Sequence, residues 1–331
     1  MTLPAALLLS PEARQLAYAD GVMTRLQRRA NLVAIVAPAN EWQQHRAALA
    51  KVEVLFSGWG APVMEEPLLA AMPRLRAIFY AGGSVRYFAT EALWQRGITV
   101  TTAAALNAVP VAEYTVAAVL LGLKRFWHYV RVTRDQRTFP VHRPLPGAFH
   151  STVGLIAFGT IGRLVRERLR AHDVKVLVHD PFLTADEARE AGVERAVLDE
   201  VFAQSDVVSL HAPLLPQTIG MIRGHHFAQM KPGALFINTA RGEIVHEGEM
   251  ISALQSRPDL YALLDVTATE PPLPDSPLYA LPNVILTPHI AGSLGPECQR
   301  MGHAMVDEFE RYLAGEPLKW ELTPQRAAVT A

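Results

Sequence analysis

The sequence predicts an α/β protein built from two doubly wound parallel sheets. The chain has 331 residues, and at about 150 residues per domain this length indicates two domains. Short apolar runs rich in Val, Ile, Leu and Phe alternate with longer segments of helical pattern, which is typical of βαβ units whose sheets are buried on both faces. Eleven such runs exceed the strands of one typical sheet, so we expect two sheets.

The predicted strands form two series along the chain. The first series comprises residues 6–10, 33–36, 52–57, 75–80 and 98–102. The second series comprises residues 152–158, 174–180, 206–212, 234–240, 261–266 and 283–289. The long interruption between the fifth and sixth runs marks the expected change from one sheet to the other.

The interruption itself predicts a helix and an arm. Residues 110–131 predict one long helix beginning at Pro110, because a proline at the first helical position loses no hydrogen bond. The segment is apolar nearly all round, so we expect it to be buried against a sheet or against a second chain. The proline-rich residues 137–150 predict an ordered arm or loop. One last helix is expected at about residues 296–313, after which the chain ends.

Composition and charge exclude several classes of protein. Hydrophobic residues make up 50% of the chain and charged residues 19%, which excludes a disordered chain. The formal net charge is −1 and no basic stripe stands out, so nucleic acid is not an expected partner. The longest apolar stretch, residues 109–123, contains Glu113 and falls short of the ~20 apolar residues of a membrane span. We therefore expect no membrane association.

The cysteine count, the amino terminus and the histidines bear on location and on metals. Cys298 is the single cysteine and has no disulfide partner in the chain, which fits a reducing compartment. The amino terminus has no basic region and no cleavage site around its short apolar run, so it predicts a strand rather than a secretory signal. We expect a cytoplasmic protein. We also expect no metal, because no Cys/His group has ligand spacing and the adjacent His225 and His226 cannot share one helix face.

The segment VGLIAFGTIGR, residues 153–163, joins a predicted strand to a predicted helix. A dinucleotide-binding turn carries Gly-x-Gly-x-x-Gly at this place, so that the backbone approaches the pyrophosphate and the helix start receives it. The three glycine positions here are Ala157, Gly159 and Gly162. The first glycine is missing, so the turn must tolerate a Cβ. An incomplete motif of this kind also fits a purely structural turn.

Asp180 strengthens the dinucleotide interpretation. It ends the next predicted strand, 18 residues after Gly162, where an acid accepts hydrogen bonds from the adenosine ribose. Its charge would repel a 2′-phosphate, and no Arg or Lys directly follows it. The sequence therefore favours NAD over NADP. The structural alternative is a strand-end turn residue before Pro181.

Three charged residues follow the ends of predicted strands, where ligands bind in open α/β sheets. Arg241 closes FINTARG, Glu270 follows LLDVTATEP, and His289 closes VILTPHIAG. Singly, these residues fit a surface ion pair, a solvated loop acid and a turn histidine. Together, downstream of a dinucleotide turn, they fit hydride transfer to a 2-oxo acid. An arginine binds the carboxylate bidentately, a histidine gives a proton to the carbonyl oxygen, and a carboxylate orients that imidazole and favours its charged form.

Four stretches in order resemble the D-isomer-specific 2-hydroxyacid dehydrogenase family: residues 153–163, 210–218, 230–245 and 263–292. The resemblance implies that Arg241 binds substrate, Glu270 orients and His289 is the acid/base. It also implies a Rossmann NAD domain, residues 108–292, inserted into a flavodoxin-like substrate domain, residues 1–107 plus 293–331. Hinges are then expected near residues 107–109 and 292–295, with the active site in a cleft that closes on substrate.

The resemblance implies further contacts with NAD and with substrate. The implied cofactor contacts are Ala157, Gly159, Thr160, Ile161 and Gly162 at the pyrophosphate, Asp180 at the ribose, His211 and Pro213 at the adenine half, Thr239 and Ala240 at the nicotinamide side, Asp265 at the carboxamide, Thr115 from the long helix, and Gly292. The implied substrate contacts are Gly82, Gly83, Arg241 and His289. The first two glycines let backbone N–H groups approach a carboxylate.

The sequence departs from the family beside the substrate glycines. Arg86 and Tyr87 replace the usual Asp-Asn; Arg86 either recognises a second anionic group or forms a structural salt bridge. Trp59 stands where phosphate-recognising relatives tend to carry Arg, which favours an apolar or aromatic substrate side chain over 3-phosphoglycerate.

Two other functions remain open, and one assembly is expected. One alternative is a non-catalytic NAD(H)-sensing protein similar to the corepressors that share this scaffold; another is a formate- or phosphite-type dehydrogenase. The apolar residues 110–131 and the arm predict a homodimer, because a monomer would expose too much of that surface.

Overall fold

The computed structural model describes residues 2–141 and 145–329. It divides into two compact units, residues 1–107 with 293–331, and residues 108–292. Each unit contains its own mainly parallel sheet flanked by helices, so the predicted fold class is confirmed. Residues 142–144 of the predicted arm lie outside the described residues.

The strands follow the predicted series. In chain order they are β1 (Pro4–Leu8), β2 (Asn31–Val36), β3 (Val54–Gly58), β4 (Ala77–Ala81), β5 (Thr99–Thr102), β6 (Thr152–Ile156), β7 (Lys175–His179), β8 (Glu194–Arg195), β9 (Val207–Leu210), β10 (Leu235–Asn238), β11 (Tyr261–Leu264), β12 (Val284–Leu286) and β13 (Glu321–Leu322). The sequence did not predict β8 and β13, because two residues are too short to show a period.

The helices flank these strands. In chain order they are α1 (Pro11–Ala17), α2 (Asp20–Arg29), α3 (Arg46–Leu49), α4 (Glu66–Ala71), α5 (Glu91–Gln95), α6 (Ala104–Leu123), α7 (Phe126–Gln136), α8 (Thr160–Leu169), α9 (Ala185–Ala191), α10 (Leu198–Gln204), α11 (Gly224–Ala228), α12 (Glu247–Ser256), α13 (Pro296–Ala314) and α14 (Pro324–Val329). Short 3₁₀ segments span Ala39–His45, Gly242–Ile244 and Pro277–Tyr279. The chain continues beyond the predicted last helix into β13 and α14.

The sheet of the first unit has the strand order β2-β1-β3-β4-β5-β13. The first five strands are parallel, in the flavodoxin-like order, and β13 pairs antiparallel with β5. Successive residues of β3 enter opposite cores: Phe56 stacks on Phe79 with ring centroids 5.4 Å apart, whereas Leu55 joins the other apolar cluster. Both faces of the sheet are thus buried, as expected for a parallel sheet.

The sheet of the second unit has the order β8-β7-β6-β9-β10-β11-β12, with all pairs parallel. This is the six-stranded Rossmann order with one additional strand, β12, and β6 and β9 flank its switch point. Asn238, at the end of β10, lies opposite Leu210 of β9 and Leu264 of β11, and Leu264 lies opposite Leu286 of β12. The carboxyl ends of these strands therefore meet at one sheet edge.

The predicted long helix is wrong at its start and at its end. α6 begins at Ala104, whose N–H donates to Thr102 Oγ1 at 3.3 Å, and it contains Pro110 in its interior. It ends at Leu123, and Arg125 adopts a left-handed φ of 49° before α7 begins. Apolar periodicity runs through both helices, so it could not reveal this break.

α6 is the one helix within the described ranges whose length and mean hydropathy of 1.6 meet the criteria for a membrane span. Interior helices of soluble proteins meet the same criteria, so the finding is weak evidence for a membrane. Nine residues of α6 are buried, among them Thr115, Val119 and Leu123.

Candidate active site

The turn between β6 and α8 holds the three expected glycine positions. Ala157 occupies the first with φ 73°, a left-handed conformation that glycine adopts far more readily than alanine. A Cβ on Gly162 would lie 2.6 Å from the Ala157 carbonyl oxygen, so the third position requires glycine. A Cβ on Gly159 would meet no described atom within 4 Å. The backbone at Gly159 therefore borders open space.

α8 begins directly after this turn, at Thr160. The N–H groups of Thr160 and Ile161 lie in its first turn, where the helix itself supplies no acceptor. The N-cap residue of α8 is Gly159, so no side chain at this position accepts a hydrogen bond from the first N–H groups of the helix. These amides and the open space at Gly159 suit a pyrophosphate.

Asp180 holds the turn in place. Its carboxylate accepts from the N–H of Phe158 and from the N–H of Phe182, both at 2.7 Å. It thus ties the turn after β6 to the turn after β7, which is the structural role that the sequence left open. Each carboxylate oxygen has further acceptor capacity, so the same side chain can also accept a ribose hydroxyl.

His211 lies at the end of β9, and its backbone N–H donates to Ile156 at the end of β6 (2.8 Å). Its side chain is buried, and neither ring nitrogen has a hydrogen-bond partner in the described part of the chain. Burial lowers the pKa of His211 from 6.5 to about 4, so the imidazole is neutral at neutral pH. Pro213, which follows, accepts from Thr218 Oγ1 at 2.7 Å. Orphaned nitrogens at the switch point suit a ligand that supplies hydrogen-bond partners.

The segment after β10 is shaped by a residue that the sequence analysis did not single out. Asn238 Oδ1 accepts from the N–H of Ala240 at 3.0 Å, and its Nδ2 donates to the Arg241 carbonyl at 3.0 Å. Thr239 Oγ1 lies 3.5 Å from Thr115 Oγ1 of α6. The signal available in the sequence was an Asn three residues before the arginine, where its side chain can bond to the nearby backbone.

Arg241 is half-buried, and its Nη1 donates to the Ala240 carbonyl at 2.5 Å. The guanidinium has five N–H groups, so most of its donors stay available for a carboxylate. A Cβ on the next residue, Gly242, would lie 1.9 Å from the Thr267 carbonyl carbon. The segment that carries Arg241 therefore packs directly on the segment that leads to Glu270.

Glu270 and His289 form a pair. His289 Nδ1 lies 2.7 Å from Glu270 Oε2, and both side chains are partly exposed. Because a carboxylate only accepts, Nδ1 carries the shared hydrogen. Nε2 is then the imidazole atom that exchanges a proton with a ligand.

The loop that carries His289 is fixed by Asp265, which is buried. Its carboxylate accepts from the N–H groups of Ile290 (2.8 Å) and Ala291 (2.9 Å) and from the Thr287 hydroxyl (2.6 Å). The family resemblance implied only a contact of Asp265 with the cofactor carboxamide, whereas the structure shows that Asp265 also holds this loop. Gly292, predicted on the cofactor side, follows this loop and ends the unit.

The predicted substrate glycines belong to the other unit and follow β4. Thr102 Oγ1 lies 2.9 Å from the Gly82 carbonyl oxygen and 2.6 Å from that of Gly83, which fixes the loop. Tyr87, which departs from the family pattern, contacts the Tyr80 hydroxyl and donates to the Gly58 carbonyl at 3.3 Å. It thus joins the loop after β4 to the end of β3.

Asp199, His225 and His226 form a group that sequence spacing did not predict. Each histidine Nε2 lies 3.6 Å from Asp199 Oδ1, and the two rings are 3.9 Å apart. Both adjacent histidines thus approach one carboxylate, which the rule that adjacent residues cannot share one helix face did not predict. However, the Arg223 N–H donates to His226 Nδ1 at 2.9 Å, so the neutral ring carries its proton on Nε2. A metal needs a lone pair on that atom, and the group does not fit one.

The sheet order, the turn after β6 and the orphaned ring at the switch point define a dinucleotide-binding α/β protein. A family model for the NAD-binding domain of D-isomer-specific 2-hydroxyacid dehydrogenases matches residues 116–291. The chain belongs to this family, and NAD is its cofactor.

Sequence relatives and solved structures agree with this family. The chain is 37% identical over 255 residues to the (S)-sulfolactate dehydrogenase of Chromohalobacter salexigens, covering 76% of this chain and 81% of the relative. It is 32% identical over 259 residues to the D-3-phosphoglycerate dehydrogenase of Archaeoglobus fulgidus, covering 77% of this chain and 49% of the relative. The chain thus spans about half the length of several relatives that it matches. The TT0316 protein of Thermus thermophilus has a TM-score of 0.77 at 27% identity, covering 97% of this chain and 100% of that chain.

Proposed function

We propose that the protein interconverts a 2-oxo acid and a D-2-hydroxy acid with NAD. The observation that carries the proposal is the Glu270–His289 pair, with 2.7 Å between Oε2 and Nδ1, at the sheet edge that also carries Arg241. An orienting acid, a proton-transferring imidazole and a guanidinium are the groups that reduction of a 2-oxo acid needs from the protein.

The residues of the turn and the strand ends fit the cofactor. The amides of Thr160 and Ile161 would hold the pyrophosphate, and Asp180 would hold the ribose. NAD, when bound, supplies the hydride chemistry itself. Asp265 Oδ2 accepts from Ala291 alone among the described hydrogen bonds, so it keeps acceptor capacity for a carboxamide.

His289 would supply the proton. In reduction, its Nε2–H donates to the substrate carbonyl oxygen as negative charge develops there, and Glu270 stabilises the charged ring. In oxidation, the neutral ring accepts the hydroxyl proton. General acid catalysis of this kind contributes about 10²–10⁴ in rate.

Arg241 would bind the substrate carboxylate through two parallel N–H donors. On the substrate side, Tyr87 is 46% exposed and Trp59 is half-buried, which favours an apolar or aromatic substituent. Arg86, which is exposed, favours the alternative substituent, a second anionic group on the substrate, as in the substrate named for the sulfolactate relative.

A substrate panel tests this proposal. Oxidation of NADH is followed by its near-ultraviolet absorbance with glyoxylate, hydroxypyruvate, pyruvate, phenylpyruvate and 3-sulfopyruvate, one at a time. Turnover of at least one 2-oxo acid is expected. Tight NADH binding with no turnover of any 2-oxo acid would indicate an NAD(H)-sensing protein. Reduction of NAD by formate or phosphite would indicate a formate- or phosphite-type dehydrogenase.

We further propose that the protein is a homodimer. α7 has eleven residues, none of which is buried in the described structure, and Phe126 and Val130 are 44% and 51% exposed. In the arm, Phe139 and Val141 are 87% and 92% exposed. Such an apolar surface favours a second copy of the chain. Light scattering is expected to give twice the chain mass; a stable monomer at micromolar concentration would contradict this.

A further inference from the structure

A hydrogen-bonded chain leads from α6 to the loop that carries His289. The Tyr114 hydroxyl lies 2.9 Å from Thr287 Oγ1, and Thr287 Oγ1 lies 2.6 Å from Asp265 Oδ1. The Asp265 carboxylate then accepts from the two amides that follow His289, at 2.8 and 2.9 Å. All of these residues belong to the unit 108–292.

The direction of the hydrogen bonds in this chain is fixed. A carboxylate only accepts, and the Thr287 hydroxyl has one hydrogen, which it donates to Asp265. Tyr114 must therefore donate to Thr287. Burial raises the pKa of Tyr114, so the phenol stays protonated at neutral pH and keeps this donor.

The loop needs such support because His289 has a strained backbone. Its φ of 54° lies in the left-handed region, which is unfavourable for a residue with a Cβ and persists only where the surroundings hold it. Asp265 holds it from two sides: its main-chain oxygen accepts from the His289 N–H at 3.0 Å, and its carboxylate accepts from the following amides. The orientation of this carboxylate therefore sets the position of the imidazole.

We propose that Tyr114 is a positioning residue for His289, acting through Thr287 and Asp265. The proposal rests on the proposed function, in which His289 transfers the proton. Loss of the Tyr114 hydroxyl leaves the Thr287 hydroxyl without its donor and lets it rotate. The Asp265 carboxylate then loses its fixed orientation, and the His289 loop opens more often.

The first test compares Tyr114→Phe with Tyr261→Phe. Tyr261 is a matched control, because its hydroxyl is also bonded, to His128 Nδ1 and Arg131 Nη2, both at 3.1 Å, but it lies at the amino end of β11. Tyr114→Phe should raise the rate of amide hydrogen exchange in the segment 287–291 of the ligand-free protein about five- to tenfold. This is the change in an opening equilibrium that the loss of one hydrogen bond typically causes. With the best substrate of the panel, kcat should fall by a similar factor while KM stays within about twofold. Tyr261→Phe should change neither.

A lower melting temperature without a change in local exchange or in kcat would show a merely structural role for Tyr114 and overturn the proposal. If Tyr114→Phe does not fold, Thr287→Val breaks the same chain at its next link. The same two readouts then decide.

A double-mutant cycle tests whether Tyr114 acts through Thr287. Thr287→Val should slow turnover, and the double variant should be no slower than Thr287→Val alone. Thr287→Ser keeps the hydroxyl and should behave like the unmodified protein. If the losses of turnover from the two substitutions multiply in the double variant, Tyr114 does not act through Thr287.

Hydrogen exchange needs no substrate, so it reports on the chain even if no 2-oxo acid is turned over. Turnover with unchanged exchange in Tyr114→Phe would instead leave the function standing and remove the positioning role.

Discussion

A Cβ on Gly162 would stand 2.6 Å from the carbonyl oxygen of Ala157. This contact joins the first and third positions of the dinucleotide turn, so the start of α8 can approach β6 only with glycine at 162. Gly159, between them, faces open space instead. The two glycines therefore have different functions, one for the fold and one for the ligand.

Gly159→Ala and Gly162→Ala should consequently fail in different ways. Gly159 has a negative φ of −75°, and a Cβ there would meet no described atom within 4 Å, so the free energy of unfolding of its variant should differ by less than about 0.5 kcal/mol from that of the unmodified protein. Its NADH affinity should fall at least about tenfold, because the new Cβ occupies the space expected for the pyrophosphate. Gly162→Ala should lower the free energy of unfolding by about 1–3 kcal/mol. Denaturant unfolding measures the free energy of unfolding and NADH titration measures the affinity. Equal effects of the two variants on these quantities would contradict the separate roles of Gly159 and Gly162.

Ala157→Gly should relieve strain. The left-handed φ of 73° at Ala157 costs an alanine about 1–2 kcal/mol, whereas the added freedom of glycine in the unfolded chain costs about 0.4–1 kcal/mol. The variant should be as stable as the unmodified protein or up to about 1.6 kcal/mol more stable. Ala253→Gly, inside α12, is the control and should lose about 1 kcal/mol. Equal losses in both variants would refute the strain.

His211 should make the protein sensitive to acid. Burial lowers the pKa of this ring from 6.5 to about 4, so between these values the unfolded chain binds a proton that the folded chain excludes. Stability is therefore complete above about pH 6.5 and is lost as the pH falls toward about 4, by roughly 3 kcal/mol.

His211→Asn removes the titrating group and should lose less stability than the unmodified protein over the same pH range. Urea unfolding at several pH values measures the difference. Parallel pH profiles for the two proteins would show that His211 is not responsible.

Arg241→Lys should separate binding from proton transfer. Lysine keeps the charge but loses the planar pair of donors, so KM for the 2-oxo acid should rise about tenfold or more. NADH affinity should change by less than about twofold, since Arg241 is not expected to contact the cofactor. Steady-state kinetics and NADH titration measure KM and the NADH affinity. An unchanged KM would show that Arg241 does not bind the substrate carboxylate.

Much of the fold and of the candidate site could be predicted from the sequence, for physical reasons. Strands such as β3 and β10 are continuous apolar runs between turn residues, and strand ends place Arg241 and His289 at one edge once the sheet is parallel. Local chemistry also predicted Asp180 as an acid at a strand end. Its two backbone hydrogen bonds, however, depend on how closely two turns approach in space.

Other features could not be predicted from local pattern. The break at Arg125 interrupts no apolar periodicity, and Pro110 fits a helix start as well as an interior. The supports of His289 lie far apart in sequence: Tyr114 is 173 residues from Thr287. Only the packed structure shows that these hydroxyls meet, or that Asp199 draws two adjacent histidines together.

The most direct test of the central claim is turnover by His289→Gln. Glutamine keeps a polar side chain but cannot transfer the proton. We predict that kcat for reduction falls by at least about 10²-fold while NADH still binds within about twofold of its normal affinity. Reduction at a near-normal rate by this variant would show that the imidazole held by Glu270 is not the proton donor.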